Sequence, residues 1–244
     1  MICPKCGFKQ NPDRADCARC GVIFAKVRSS PMAAVMSDQS VFAEAAEETQ
    51  SGWRQIVLPE PLEVNSLTLV AKGVLWAVLA IWSMSFIFSS VGSNHAGESV
   101  LHLVNLPFHE AGHIFFSPFG RFLTVLGGTL MQLIMPAVCM GVLLIRTRDA
   151  FGASAAMWWL AENFMDIAPY INDARDLNLM LLGGVTGKDV ADYHDWEYLL
   201  GKLGLLRMDH VLAGFSQFIG IVLMLTALVW GAVVLKKHFS LIKV

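Results

Sequence analysis

Two sets of residues in this 244-residue chain have the types and spacing of metal ligands. The first is His109-Glu110-Ala111-Gly112-His113, in which two histidines stand four residues apart. On a helix that spacing stacks both imidazoles on one face, one turn apart. Such a pair holds a divalent metal, and Glu110, next to the first ligand, reaches a metal-bound water as general base. Zinc lowers the pKa of its water toward neutrality, which makes hydroxide available to attack a carbonyl. The second set is Cys3-Pro4-Lys5-Cys6 and Cys17-Ala18-Arg19-Cys20, each pair followed by a glycine, Gly7 or Gly21. Two tight turns with two thiolates each make a closed tetrahedral four-cysteine site with no open position for chemistry. In a unit this small the metal replaces a hydrophobic core. The expected content is therefore two zinc ions, one catalytic and one structural.

A catalytic zinc keeps three protein ligands, so the histidines need a partner. The richest supply is the run from Glu162 to Asp173, which contains Asn163, Asp166 and Pro169. At about 100° per residue, Asp166 lies roughly 40° from Glu162 and Asp173 roughly 20° from it. The three form one acidic stripe, provided Pro169 bends the helix without ending it. Asp173, Glu162 and Asp166 are all candidates. A fourth is His194, in Tyr193-His194-Asp195-Trp196, more simply read as a surface histidine beside an aspartate. His95 and His102 read as interfacial residues, and Cys139 as a packed thiol.

These groups sit in an apolar chain. Hydrophobic residues make up 55%, charged residues 16%, and the mean hydropathy is +0.54. Soluble domains carry about 25% charged residues, so the balance points to the lipid bilayer as solvent. A net charge of −2 gives no sign of a nucleic-acid partner. Four of the five cysteines fall in the first twenty residues, which reads as metal binding in a reducing compartment. The N-terminus opens on cysteines and charges, not on the apolar core of a secretory signal.

Three segments follow: a compact polar unit over 1–28, a flexible linker over 29–63 with an acidic run Glu44–Glu48, and a helical membrane domain over 64–244. Within the last, apolar spans lie at about 67–89, 100–118, 123–145, 151–170 and 211–235. A crossing helix needs about 20 apolar residues, which the first, third and last supply. The second and fourth carry His109, Glu110, His113, Glu162 and Asp166, groups that must face a protein interior or a wet cavity. The fold class is mostly α: a polytopic helical membrane protein of about five spans with a small four-cysteine unit. With five crossings and a cytoplasmic N-terminus, thirteen Lys and Arg lie inside and five outside. Lys236-Lys237 then falls on the wrong side, which points to a re-entrant span.

The His109–His113 helix, followed by Asn163, Pro169 and Asp173, resembles the site-2-protease family of intramembrane zinc metalloproteases over residues 100–180. The resemblance implies His109 and His113 as ligands, Glu110 as the base and Asp173 as the third ligand. It makes Gly127-Gly128-Thr129-Leu130-Met131-Gln132 the small-residue stretch where a neighbouring helix approaches. Asp173 is followed by Ala174-Arg175 where that family has glycine. Glu162-x-x-x-Asp166 also resembles the thermolysin-like element in which Glu162 would bind zinc and Asp166 would orient a ligand histidine. Residues 1–26 resemble a zinc ribbon, and their few basic residues favour a protein partner over nucleic acid. The resulting expectation is a multi-pass zinc metalloprotease of the bacterial inner membrane, N-terminus cytoplasmic, acting on membrane-protein or peptide substrates. The competing readings are a non-proteolytic zinc-binding scaffold or sensor and, less favoured without an inverted repeat, a transporter.

Overall fold

The computed structural model describes residues 1–24 apart from Pro4, Pro12 and Asp13, then Gly52, residues 54–59 and residues 65–242. Of these, 71% are helical and none forms a strand element, so the fold class is mostly α. Contacts divide the chain into two units, Met1–Trp53 and Arg54–Val244. Most of residues 29–63, read above as a linker, lies outside the described residues.

Six helices of the second unit bear on the site: α1 (Ser66–Phe88), α2 (Val100–Phe116), α3 (Arg121–Ile145), α4 (Ala150–Asn172), α5 (Asp195–Leu203) and α6 (Asp209–Ile242). Their starts follow from local chemistry. Asn65 accepts a bond from the Leu67 N–H and Ser99 one from the His102 N–H, so polar side chains satisfy the first free donors of α1 and α2. Pro169 does not end α4, which runs three residues further and is closed by Asp173.

Three helices are long and apolar enough to cross a membrane: α1, α3 and the segment Leu206–Ile242 that contains α6. The other two expected spans differ for two reasons. α2 has only 17 residues, at the short limit for crossing a bilayer. α4 has 23 but places Glu162, Asn163 and Asp166 in the interior. Fifteen of its residues are buried, which makes it the central helix around which the lipid-compatible ones pack.

Side-chain contacts fix the direction of each helix. α1 and α4 run parallel: Lys72 and Asp149 pair at 3.0 Å at their starts, and Trp158 Nε1 donates to Ser83 Oγ at 2.7 Å further along. α6 runs the other way, its late residue Val234 packing with Ala150 and Phe151 while Asp209 bonds Arg175 at 2.7 Å. α3 is joined to α4 by a four-residue connection, and Gln132 reaches back to Asp166 at 2.7 Å, so it too opposes α4. The segment carrying α2 therefore leaves the end of α1 and returns to the start of α3 at the same end of the bundle.

α2 and α3 meet through glycine. A methyl on Gly112 would collide with the Gly127 carbonyl and lie 2.8 Å from Met131 Cβ, while one on Gly127 would lie 2.6 Å from Gly112 O. This is the small-residue approach expected between membrane helices. Gly112→Ala is expected to lower stability by about 1–3 kcal/mol through overpacking, read as a fall in the unfolding midpoint in detergent.

Candidate metal centres

In the first unit, residues 1–10 and 15–24 fold as two equivalent turns. Ile2 bridges Lys9 and Asp16 bridges Ile23, while the Gly7 and Gly21 N–H groups donate to Cys3 O and Cys17 O, both at 2.9 Å. Gly7 and Gly21 have φ of 70° and 67°, the left-handed conformation that glycine adopts without strain. The Gln10 side chain ties the turns together, donating to Asp16 O and accepting from the Ala18 N–H, each at 2.9 Å. Cys3 and Cys20 sulfurs stand 3.7 Å apart, as do those of Cys6 and Cys17, and all four lie within 4.8 Å of one another. A tetrahedron with 2.3 Å zinc–sulfur bonds has edges of about 3.8 Å. Unlinked thiols at this spacing fit one metal ion.

The second centre lies where α2 meets α3. His113 Nδ1 faces the Thr124 carbonyl at 2.9 Å, and a carbonyl only accepts, so Nδ1 carries a proton, which in the neutral ring leaves Nε2 a lone pair. Gln132 donates its amide NH2 to Asp166 at 2.7 Å, which turns its oxygen toward His109 Nδ1 at 3.1 Å and sets the same tautomer there. Both Nε2 atoms then point at Asp195 Oδ2, at 3.0 Å from His109 and 3.3 Å from His113. With both rings neutral, two lone pairs and a carboxylate oxygen repel unless a proton or a metal cation sits among them. A tetrahedral site with bonds of about 2.0–2.1 Å has edges of about 3.3–3.4 Å, close to these separations. The donor set fits a zinc-like ion. Gly128 keeps the space open, since a methyl there would lie 2.6 Å from His109 Nε2 and 2.7 Å from His113 Nε2.

Asp195 is the first residue of α5, outside the apolar helices. Its N–H donates to the Tyr170 hydroxyl at 2.9 Å. His194 caps the same helix, its Nδ1 accepting from the Glu197 N–H, and its buried ring lies 4.3 Å from that of Tyr170.

Of the four third-ligand candidates, none joins the histidines. Asp173, past the end of α4, spends its oxygens on the Asn178 and Leu179 N–H groups, both at 2.9 Å, and lies 3.5 Å from His194 Nε2. It anchors the segment that delivers Asp195. Glu162 and Asp166 face Asn105, at 2.9 and 3.0 Å, and Asp166 also meets His102 at 2.9 Å. Asp166 is linked to His109 through Gln132. Gln132→Leu is expected to weaken metal binding at this centre by roughly 10–100-fold, measured by competition with a chromogenic chelator.

The centre lines a cavity of about 510 Å3 together with Glu110, Tyr170 and the segment Leu179–Gly183. Glu110 is half-buried and makes no hydrogen bond among the described residues, so its carboxylate is available to a molecule in the cavity. The chain matches no protein-family model, no curated protein and no solved structure. Sequence reasoning missed Asp195, which has no fixed spacing from the histidines. It also passed over Gln132 as a ligand support, although a lone amide in an apolar helix is itself a signal.

Proposed function

We propose that this protein is a membrane-embedded zinc hydrolase that cleaves peptide bonds. The observation that carries the proposal is the convergence of His109 Nε2, His113 Nε2 and Asp195 Oδ2 in a cavity that also holds the unbonded Glu110 carboxylate. Mixed nitrogen and oxygen donors at tetrahedral spacing favour zinc. When bound, zinc supplies Lewis acidity, activating water and polarising a carbonyl. Glu110 accepts the proton of the attacking water and returns it to the leaving amine. Tyr170 holds Asp195 through its backbone, and Gln132 and Thr124 hold the two imidazoles. The resemblance of the His109–His113 helix to the site-2-protease family supports the same reading.

α4 joins α1, α3 and α6 as a fourth membrane-embedded helix, its buried acids shielded by its neighbours. The exposed apolar side chains Met1, Ile2, Phe8 and Ile23 support the four-cysteine unit as a docking surface for a protein partner. The test is cleavage of a model transmembrane substrate in bilayers by wild type and Glu110→Gln, with zinc counted in both. Absence of cleavage by either protein, with zinc bound in both, would leave a zinc-binding scaffold as the better description.

A further inference from the structure

The direction of the helices determines from which side the cavity is reached. One end of the bundle gathers Lys72, Asp149, Trp230, Val234 and Lys237, with Lys237 Nζ donating to Leu58 O at 2.9 Å. Both the lead into α1 and the end of α6 lie there. The opposite end gathers the end of α1, the start of α3 and the end of α4, with Gln217 donating to Phe86 O at 3.3 Å and Arg121 pairing with Asp192 at 3.2 Å. The metal centre belongs to this second end. His113 bonds the carbonyl of Thr124, one turn into α3, and Asp195 comes from the segment that follows α4.

With α1, α3, α4 and α6 as the crossings and α2 re-entrant, both chain ends share one side. The Lys and Arg count supports this arrangement. Arg146, Arg148, Lys236, Lys237 and Lys243 move to the side of the N-terminus, while Arg121, Arg175, Lys188, Lys202 and Arg207 move away from it. The totals stay at thirteen and five, but the Lys236-Lys237 pair is no longer misplaced. The thirteen mark the cytoplasmic side, as does a reduced set of four cysteines.

We infer that the metal cavity opens on the extracytoplasmic face and takes an extended polypeptide segment lying at that membrane surface. The substrate half of this statement rests on the hydrolase reading. The rim of the cavity suits such a ligand. Leu179-Met180-Leu181-Leu182 lies along it, with Met180 70% and Leu182 52% exposed, an apolar edge for the interfacial layer. The backbone N–H and C=O of Met180 have no partner among the described residues and offer an extended chain one strand-like pairing. The edge is fixed, because Tyr193 OH donates to Leu182 O at 2.8 Å and Asp173 holds the Leu179 N–H.

The test is labelling of the full-length protein in intact spheroplasts with a membrane-impermeant maleimide, wild type serving as the cysteine background. Lys188→Cys and Met180→Cys are expected to label as fully as after permeabilisation. Lys236→Cys and Arg146→Cys are expected to label only after it. Protection of both Lys188→Cys and Met180→Cys, or free labelling of either of the other two, overturns the inference. Two single-helix reporters carrying the same peptide outside or inside the membrane complete the test, with loss of the outside peptide only as the expected result. Cleavage of the inside peptide overturns the access side. If the labelling pattern holds and neither reporter is cut, the hydrolase reading and its substrate fall, while the outward-facing cavity stands.

Discussion

Replacing Asp195 with alanine is expected to take one of two zinc ions from the purified protein and leave the bundle folded. The side chain contributes a ligand atom and little packing, since the bond that fixes α5 to Tyr170 comes from its backbone N–H, which alanine keeps. Without the carboxylate the two imidazoles make an incomplete site. The loss of affinity should therefore exceed the roughly 10–100-fold that supporting contacts around a metal are worth. An ion bound by the four cysteines would serve as an internal reference, because they belong to a separate unit. The informative contrast is Asp173→Asn. An amide there can still accept from one of Asn178 and Leu179, so the ion should stay while the segment between α4 and α5 becomes easier to cut with protease. Elemental analysis after dialysis against a weak chelator decides between them. Retention of both ions by Asp195→Ala together with loss of one by Asp173→Asn would reverse the assignment.

The ligands that sequence reveals are those set by local periodicity. His109 and His113 are one helical turn apart, and any helix through them brings the imidazoles together. The cysteine pairs are legible for the same reason, each pair with its glycine being a turn complete in itself. Asp195 is different. It reaches the histidines through the path of α4, the Asp173 anchor and the cap of α5, none of which has a fixed spacing in the chain. The acidic stripe on α4 is real as a pattern, yet its charges answer to Asn105, His102 and Gln132. A run of buried acids shows that a polar partner exists without saying which.

The same limit governs the count of crossings. Hydropathy marks α1, α3 and α6 plainly, because most of their surface is apolar and faces outward. It cannot tell whether α2 crosses, since that depends on which way its neighbours run. Only the pairing of Lys72 with Asp149 and of Asp209 with Arg175 settles those directions. The Lys236-Lys237 pair is the one sequence feature that points to a re-entrant segment, and α2 is the helix for which that role is proposed.

Under the proposed hydrolase reading, Glu110→Gln is expected to separate metal binding from hydrolysis. Glutamine keeps the length and nearly the volume of glutamate, and Glu110 makes no hydrogen bond that the change would break. It contributes no atom to the three-residue ligand group, so zinc content should remain at two ions per chain. What glutamine cannot do is accept a proton from water and pass it on. A general base of this kind contributes roughly 10²–10⁴-fold, which corresponds to about 3–5 kcal/mol of transition-state stabilisation. The turnover number for a peptide in bilayers should fall by that factor while KM changes little, because the cavity keeps its shape. Asp195→Ala should abolish turnover by another route, with loss of the ion. A variant that keeps both ions and loses the reaction has no explanation in packing or in metal affinity. Conversely, if Glu110→Gln keeps turnover within tenfold of wild type, proton transfer by this carboxylate is not part of the reaction, and Glu110 loses the role of general base.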